Sequence, residues 1–316
     1  MTPHMLTIRQ TELGGPEVLR LVEVPRPAPG PTQVSVQVHA AGVNPVDAMI
    51  RRSGGFLGQP PFTVGWDVSG VVAAVAPGVT RFEVGDEVFG MPWFPLHAGG
   101  YGQYVTAPSR HFARKPSTVD HITAAGLPLA GLTAWQALVD TANVQPGQRV
   151  LVHAAAGGVG HLAVQLAKAL GASVVGTASA SRADFLRELG LDRLVDYRTV
   201  DFTLEVGEVD VVLDTVGADY AERSMRVLRP GGILVSITRM RDIAQLRELA
   251  ATHGVRVEAV LVEPDRYALE QLADLVDKGQ LRVHVGATFP LEEAPRAHEQ
   301  IESGHTAGKI VLTVPQ

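Results

Sequence analysis

The sequence predicts an α/β protein in which a doubly wound parallel sheet is combined with a second, β-rich domain. Strands alternate with helices from about residue 149 onward, whereas short strands and turn residues crowd the first 125 residues. A glycine-rich turn joins a strand to a helix near residue 157. Alternating strands and helices are typical of βαβ units, and short strands separated by Pro and Gly indicate a compact, barrel-like domain.

Composition limits the possible functions. The 316 residues suggest about two domains of roughly 150 residues each. With 46% hydrophobic and 19% charged residues, the chain can bury a sizeable core. A net charge of -6 without a basic run argues against a nucleic-acid partner. Cysteine is absent, which excludes disulfides, cysteine nucleophiles and cysteine-ligated metals.

No signal peptide is expected in residues 1–10, because that stretch has no apolar core. No segment is apolar for long enough to span a bilayer. We therefore expect a cytoplasmic globular protein that has no membrane partner.

The first 125 residues form the predicted β-rich domain. Residues 34–39 alternate apolar and polar side chains, as a half-buried strand does, and further short strands are expected at residues 68–75 and 87–89. Residues 124–138 are small and apolar, which indicates a helix that links this domain to the next. The predicted domains are residues 1–125, a nucleotide-binding domain at 126–264, and a tail at 265–316 that returns to the first domain.

The second domain is expected to contain six strands with helices between them. The predicted strands are residues 150–153, 173–176, 194–196, 209–214, 233–236 and 255–262. The predicted helices are residues 161–170, 182–189, 220–228 and 243–253. The helix after the glycine-rich turn is apolar nearly all round, so we expect it to be buried. The last strand is apolar and lies at the sheet edge, and such an edge favours pairing into a homodimer, although a helix or loop would also cover it.

The tail is predicted to hold an amphipathic helix at residues 265–278, a further element at 281–285 and a turn at 289–291. A helix at residues 294–302 and a strand at 309–314 complete it.

The turn between the first strand and helix of the second domain reads Ala155-x-Gly157-x-x-Gly160. This is a dinucleotide fingerprint with alanine at the first glycine position. Gly157 allows the backbone to approach a pyrophosphate, and Gly160 allows the helix to pack against the strand. The helix N-terminus provides N–H groups and a positive dipole end for the phosphates.

The end of the second strand indicates which dinucleotide is preferred. An NAD-binding unit carries an acid about 20 residues after the turn, where it bonds the ribose 2′-hydroxyl. Here Ser179, Ser181 and Arg182 stand at that place, and the nearest acid, Asp184, is inside the next helix. Hydroxyls and a guanidinium suit a 2′-phosphate. We therefore expect NADP(H), with the alternative that the serines only cap the helix.

Five segments in order resemble the medium-chain dehydrogenase/reductase superfamily, in its zinc-independent, quinone oxidoreductase-like branch. They are residues 42–47, 131–135, 154–160, 195–198 and 304–309. The resemblance covers nearly the whole chain. It implies a Rossmann domain flanked by a GroES-like catalytic domain that is built from both chain ends, and it supports a homodimer.

The resemblance also implies a set of site residues. Asn44 and Thr133 would lie near the nicotinamide and are the candidate catalytic residues. Gly157, Gly158 and Val159 would hold the pyrophosphate, and Ser179, Arg182 and Tyr197 would serve the 2′-phosphate. The remaining cofactor-binding candidates are Thr215, Val216, Gly217, Ile237, Thr238 and Lys309. From the residues themselves, a turn before Pro45 remains the alternative for Asn44, and Tyr197 fits a packed core position equally well.

Two departures from the wider family shape the expected chemistry. Zinc-dependent relatives have Gly-His-Glu where this chain has Gly65, Trp66 and Asp67, so no metal site is expected. Many quinone oxidoreductase relatives have a tyrosine where this chain has Met49. Water, Tyr101, His97 and Asp47 remain as possible proton sources, each with a structural role as the alternative. Phe56, Trp66, Trp93 and Phe94 are candidates for a pocket wall or for plain packing.

The expected function is an NADPH-dependent, zinc-independent oxidoreductase that reduces a quinone or another conjugated carbonyl by hydride transfer. One alternative is reduction of the double bond of an enal or enone. Another is a low-turnover NADPH-binding sensor or interaction protein, which the Met49 departure motivates. The expected partner is a small-molecule acceptor.

Overall fold

The computed structural model describes residues 3–316, which fall into two compact units. Unit one comprises the described residues up to Leu132 together with Glu263–Gly279 and Val283–Gln316. Unit two comprises Thr133–Val262 and Gln280–Arg282. Both ends of the chain therefore contribute to unit one, and the middle of the chain forms unit two.

Unit one is mostly β-structure. Its strands are β1 (His4–Arg9), β2 (Arg20–Pro25), β3 (Gln33–Val43), β4 (Asp67–Val75), β5 (Glu87–Gly90), β6 (Tyr104–Pro108), β7 (Phe112–Arg114), β14 (Val285–Pro290) and β15 (Lys309–Thr313). Strands β1 and β2 form an antiparallel pair. The others form a seven-stranded sheet in the order β14-β15-β3-β4-β5-β7, with β6 also paired to β3. Strand β15 pairs with β3, so the C-terminal tail completes the sheet of the N-terminal strands.

The helices of unit one begin with α1 (Pro45–Ser53), which follows β3 directly. Helix α2 (His121–Ala125) follows, and α3 (Pro128–Trp135), whose residues after Leu132 belong to unit two, precedes a π-helical turn at Gln136–Thr141. The tail adds α9 (Arg266–Asp277) and α10 (Ala294–Glu302). The linking segment is divided at Pro128, because this residue has no N–H to continue α2 and instead begins α3.

Unit two contains a six-stranded parallel sheet in the order β10-β9-β8-β11-β12-β13. Its strands are β8 (Arg149–Val152), β9 (Ser173–Ala178), β10 (Arg193–Asp196), β11 (Val209–Asp214), β12 (Leu228–Ser236) and β13 (Arg256–Ala259). Between them lie α4 (Gly160–Ala169), α5 (Ala183–Glu188), α6 (Phe202–Glu205), α7 (Tyr220–Ser224) and α8 (Ile243–Thr252). The predicted fold class, a doubly wound parallel sheet with a β-rich domain, is confirmed.

The core of unit two is formed by strands that are covered on both faces. Leu151, Val212 and Leu234, on the three central strands, are fully buried. Strands of a parallel sheet show this continuous burial because helices cover both faces. Helix α4 is buried over its first eight residues, as its apolar sequence predicts. Strand β13 lies at one edge of the sheet, where the sequence places its last strand.

Several predicted elements are wrong in extent. The helix expected at residues 220–228 ends at Ser224, since Leu228 already pairs with Val209 at the start of β12. Residues 281–284 are irregular, and Phe289 and Pro290 end β14 instead of forming a turn. Pairing with β15 places Phe289 and Pro290 in a strand. The sequence of β14 shows only a weak strand pattern, because the strand is only half-buried. The short helix α6 was not predicted. Among residues 3–316, no helix is both long enough and apolar enough to cross a membrane.

Candidate functional site

The carboxyl ends of the unit-two strands carry the predicted nucleotide-binding residues. In open α/β sheets, ligands bind at this edge. After β8 the chain turns at Ala154, whose backbone has a φ of 46° and whose carbonyl accepts a hydrogen bond from Gly157 N at 2.8 Å. Gly157, Gly158 and Val159 are partly exposed at the start of α4. Partly exposed backbone at the start of a helix suits an anionic ligand.

Gly160 is required by close packing. A Cβ at this position would lie 2.3 Å from Ala154 O and 2.8 Å from Ala155 Cα. At Gly157 a Cβ would meet Ala154 O at 3.2 Å, which is less restrictive. The expected role of Gly160, allowing the helix to approach the strand, is therefore what the packing shows, and Gly157 remains on the open side of the turn.

The end of β9 lacks a carboxylate at the predicted 2′-position. Ser179 follows the strand, and its Oγ lies 2.9 Å from the Oγ of Ser181. Arg182 is half-buried at the end of the following 3-10 turn. The serines make no side-chain cap of this turn or of α5, so capping does not account for them. Tyr197 is 47% exposed, so the alternative of a core tyrosine is excluded.

The ends of β11 and β12 are joined by a buried carboxylate. Asp214 Oδ1 accepts hydrogen bonds from the backbone N–H groups of Val216 at 3.0 Å and Gly217 at 2.9 Å. Its Oδ2 accepts from Ser236 Oγ at 2.9 Å. Thr215 Oγ1 donates to His153 O at 2.7 Å. These bonds fix the two loops that follow the strands, leaving Val216 and Thr238 exposed and Ile237 half-buried.

In unit one, Asn44 and Lys309 meet around Asp67. Asn44 Nδ2 donates to Asp67 Oδ2 at 2.8 Å, and Lys309 Nζ donates to the same oxygen at 3.3 Å and to Asn44 Oδ1. The other oxygen, Asp67 Oδ1, accepts from Leu129 N at 2.6 Å. All of these side chains are buried. Asn44 is thus the N-cap residue of α1, as a turn residue before proline would be, and its amide is also oriented by a buried ion pair.

A second buried group extends from the backbone of Asn44. Asp47 Oδ2 accepts from Asn44 N and from Tyr101 OH, each at 2.8 Å. Tyr101 OH lies 3.2 Å from His298 Nε2, and His298 Nδ1 lies 3.1 Å from Arg51 Nη1. Since arginine only donates, His298 accepts at Nδ1 and carries its proton at Nε2, which donates to Tyr101. The hydrogen bonds therefore run in one direction, from Arg51 to Asp47.

Burial changes the acid–base properties of this second group. Burial raises the pKa of Asp47 to about 7, although the Tyr101 and Asn44 hydrogen bonds oppose the rise. Burial, together with the Arg51 charge, lowers the pKa of His298 to about 3, so this histidine is neutral. Asp47 and Tyr101, both expected as possible proton sources, are fully buried and bonded to each other.

The aromatic residues predicted as a pocket wall separate into two places. Phe56, Trp66 and Phe94 pack edge-to-face, with ring centroids 5.3 to 5.8 Å apart. Trp66 Nε1 donates to Leu96 O at 2.7 Å, so the residue at the histidine position of zinc-dependent relatives is used for packing. Trp93 does not join them, because its indole packs against His111 and donates to Thr106 O. In residues 3–316, no group of three or more His, Asp or Glu residues is arranged to hold a metal.

Two carboxylates that organise these sites, Asp67 and Asp214, are absent from the residues that the sequence predicts. Each stands at the end of a mostly buried strand, where a buried acid must be hydrogen-bonded. That position is the signal that identifies them. Thr133, predicted beside the nicotinamide, lies in α3 and is buried.

Comparison with known proteins identifies the family. Residues 30–117 match the alcohol dehydrogenase GroES-like domain, and residues 189–312 match the zinc-binding dehydrogenase family. A 2-haloacrylate reductase from a Burkholderia species is 37% identical, covering 96% of this chain and 97% of that protein.

Solved structures agree. A quinone oxidoreductase from Coxiella burnetii has a TM-score of 0.94 at 37% identity, covering 99% of this chain and 100% of that one. An Escherichia coli quinone oxidoreductase in complex with NADPH has a TM-score of 0.87 at 30% identity, covering 98% and 100%. The chain belongs to the medium-chain dehydrogenase/reductase superfamily, as an NAD(P)-dependent oxidoreductase related to the quinone oxidoreductases and to 2-haloacrylate reductase.

Proposed function

We propose that the protein is an NADPH-dependent reductase that transfers hydride to a quinone or another conjugated carbonyl. The observation that carries the proposal is the edge of the unit-two sheet, where an open glycine-rich turn stands beside a strand end with hydroxyls and a guanidinium in place of an acid. An E. coli relative of known structure binds NADPH, which supports the same cofactor here.

The residues of unit two fit the parts of this cofactor. The backbone of Gly157, Gly158 and Val159 would hold the pyrophosphate, which is favoured by the dipole of α4. Ser179, Arg182 and Tyr197 would bind the 2′-phosphate through charge-assisted hydrogen bonds. The loops at Thr215, Val216 and Gly217 and at Ile237 and Thr238 would contact the riboses, and Asp214 holds both loops in place. The cofactor supplies the hydride, and the protein supplies its position.

In unit one, Asp67 would determine how Asn44 and Lys309 act on the nicotinamide half of the cofactor. Because Asp67 accepts from Asn44 Nδ2, the amide oxygen is directed to the Lys309 ammonium. The pair would bind and orient as one unit, and the buried carboxylate balances the lysine charge. Thr133, which belongs to unit two, is also proposed beside the nicotinamide.

The cofactor preference is tested with Arg182→Ala. We expect the affinity for NADPH to fall about tenfold or more, because a charged hydrogen bond is lost, with little change for NADH. Arg187→Ala is the matched control, since Arg187 is exposed one helix turn later and pairs with Asp184. Titration of NADPH and NADH by fluorescence gives both affinities. Tighter binding of NADH than of NADPH by the unmodified protein would refute the NADPH assignment.

A second candidate is reduction of a carbon–carbon double bond conjugated to a carbonyl. The related 2-haloacrylate reductase favours it, since the name of that protein describes a conjugated acid as its substrate. This reaction needs a proton at carbon as well as a hydride, whereas a quinone is protonated at oxygen. The side chains of Tyr101 and Asp47 are fully buried, so neither is proposed to deliver that proton directly.

Steady-state assays separate the candidates. Oxidation of NADPH is followed with 9,10-phenanthrenequinone, with a 2-alkenal and with 2-chloroacrylate. We expect turnover with the quinone, and faster turnover with either of the other acceptors would assign double-bond reduction. Binding of NADPH without turnover of any acceptor would instead assign a low-turnover sensor or interaction protein.

A further inference from the structure

A pocket of about 300 Å³ lies in unit one at the β1–β2 pair. It is lined by residues of β1, β2 and β6 and of the loops at residues 61–63 and 93–99. None of the side chains around Asn44, Asp47 and Asp67 lines it. Its volume is at the lower end of the range for pockets that bind small molecules, about 300 to 1,000 Å³.

The walls of the pocket present apolar and polar surface in nearly equal parts. Phe62, Trp93, Val24 and Met5 line it, and three prolines add rigid surface. The indole of Trp93 is fixed by donation to Thr106 O at 2.7 Å, and the packing of Phe62 leaves it 5% exposed. Rigid aromatic and apolar surface of this kind fits the flat apolar body of a small organic molecule.

Positive charge is concentrated at one end of the pocket. Arg9 lines it, on the same face of β1 as Met5 and Thr7. Arg9 stands directly opposite Arg20 in the antiparallel ladder. Like charges in directly opposed positions destabilise a pair of strands unless an anion compensates them. Neither arginine forms an ion pair with any residue of the described chain.

A third arginine, Arg26, lies near the start of β1, where its backbone N–H donates to Pro3 O at 2.8 Å, and not at the Arg9 end. Arg26 lies over the ring of Tyr104, another lining residue, with 3.5 Å from Cζ to the ring centroid, and it too has no ion pair within residues 3–316. No Asp or Glu lines the pocket, although acids outnumber Lys and Arg by 33 to 27 in the chain. The local charge is therefore opposite to that of the whole protein.

Hydrogen-bond donors complete the pocket. His97 Nε2 accepts from Thr63 N at 3.2 Å, so the neutral ring carries its proton on Nδ1. Partial burial and the nearby Arg9 charge lower the pKa of His97. The Oγ1 atoms of Thr7 and Thr63 lie 3.3 Å apart at the wall. The Thr7 hydroxyl donates to Tyr101 O at 3.0 Å, so Thr63 donates to Thr7, and an anion beside Arg9 would find the guanidinium and the His97 Nδ1–H donor.

We propose that this pocket binds a small organic carboxylate, with its carboxylate on Arg9 and its flat apolar body against Phe62 and Trp93. The site is separate from the proposed NADPH-dependent activity and does not depend on it. A carboxylate paired with Arg9 forms two parallel hydrogen bonds and relieves the repulsion between Arg9 and Arg20.

The probe is 3-phenylpropanoate, which has no double bond that the enzyme could reduce, and the reference is the neutral 3-phenylpropan-1-ol. Binding to the full chain is measured by calorimetry. We expect 3-phenylpropanoate to bind at one site per chain and at least tenfold more tightly than the alcohol, whether or not saturating NADPH is present. Salt should weaken the binding. No detectable binding, or equal binding of acid and alcohol, would overturn the proposal.

Two variants locate the site. Arg9→Gln should weaken binding of 3-phenylpropanoate about tenfold or more, and Val24→Trp should abolish it by filling the pocket. Arg256→Gln is the matched control, because Arg256 is exposed on β13 of unit two and forms no ion pair within the described chain. Thermal unfolding shows whether each variant is folded. Binding that survives both pocket variants but is lost with NADPH present would place the ligand at the cofactor site and refute this pocket.

Discussion

At the scale of single residues, Asp47 has an unusual environment for a carboxylate. Its carboxyl is fully buried; Oδ2 accepts two hydrogen bonds, and Oδ1 has no partner in the described chain. An unpaired buried carboxylate oxygen costs free energy, and protonation reduces this cost. Burial raises the pKa of Asp47 to about 7, so the carboxyl takes up a proton just below neutral pH.

The raised pKa predicts how stability depends on pH. The folded state binds the Asp47 proton more tightly than the unfolded chain, whose carboxyl titrates near 4. Stabilisation by Asp47 is therefore complete below about pH 4 and is lost as the pH rises through about 7. We expect Asp47→Asn, which resembles the protonated acid, to remove this loss, as measured by urea unfolding at several pH values.

Other groups titrate in the same pH range. The relevant quantity is therefore the difference in unfolding free energy between Asp47→Asn and the unmodified protein. Burial lowers the pKa values of His153 and His298 to about 3, and these histidines destabilise the fold as the pH falls below their unfolded values. These two histidines contribute equally to the stability of Asp47→Asn and of the unmodified protein, so their effect cancels in the difference. If the difference in unfolding free energy between Asp47→Asn and the unmodified protein stays constant from pH 5 to pH 8, Asp47 does not titrate as proposed.

At the scale of elements, close packing restricts which residues the glycine-rich turn can contain. Gly160→Ala would place a methyl group 2.3 Å from Ala154 O, so the helix must move away from the strand. We expect a loss of about 1–3 kcal/mol in the free energy of unfolding, as for overpacking, together with weaker NADPH binding. Denaturant unfolding and NADPH titration measure the two effects.

Gly157→Ala is the matched variant on the same turn. Its methyl group would meet Ala154 O at 3.2 Å, a contact that small shifts relieve. It should therefore cost less stability than Gly160→Ala while still hindering the approach of the pyrophosphate. Equal losses of stability in the two variants would contradict the difference in packing.

Element boundaries show what local sequence does not determine. Residues 229–232 read Arg-Pro-Gly-Gly, which is typical of a turn, yet they lie within β12 because Leu228 pairs with Val209 before a register shift. Strand β14 alternates half-buried and exposed residues, and it is recognisable only from its pairing with β15. Tertiary pairing overrides weak local preference in both cases.

At the scale of the whole molecule, the edge of the unit-two sheet carries the prediction of a homodimer. Strand β13 is an edge strand of this chain, and Leu261 just beyond it is 43% exposed. An exposed apolar edge favours pairing across a two-fold axis. We expect a mass of about twice 33.6 kDa by light scattering after size exclusion.

Leu261→Lys should shift this protein toward the monomer, because a buried charge would face its symmetry mate. Leu204→Lys is the control, since Leu204 is 84% exposed on α6 of the same unit. A monomeric mass for the unmodified protein would contradict the predicted dimer. A dimer unaffected by Leu261→Lys would show that the β13 edge does not form the interface.

The sequence by itself determines the fold class, the glycine-rich turn and the absence of an acid after β9, since each is a local pattern of periodicity, backbone freedom or charge. Only the tertiary structure decides that Asn44, Asp67 and Lys309 meet, that Tyr101 bonds Asp47, and that Arg9 faces Arg20 at a pocket. Most of these groups are far apart in the chain; the pairing of β15 with β3 brings Lys309 to Asn44, and the pairing of β1 with β2 brings Arg9 to Arg20. Long-range strand pairing has no local signature, because its register depends on both partners at once.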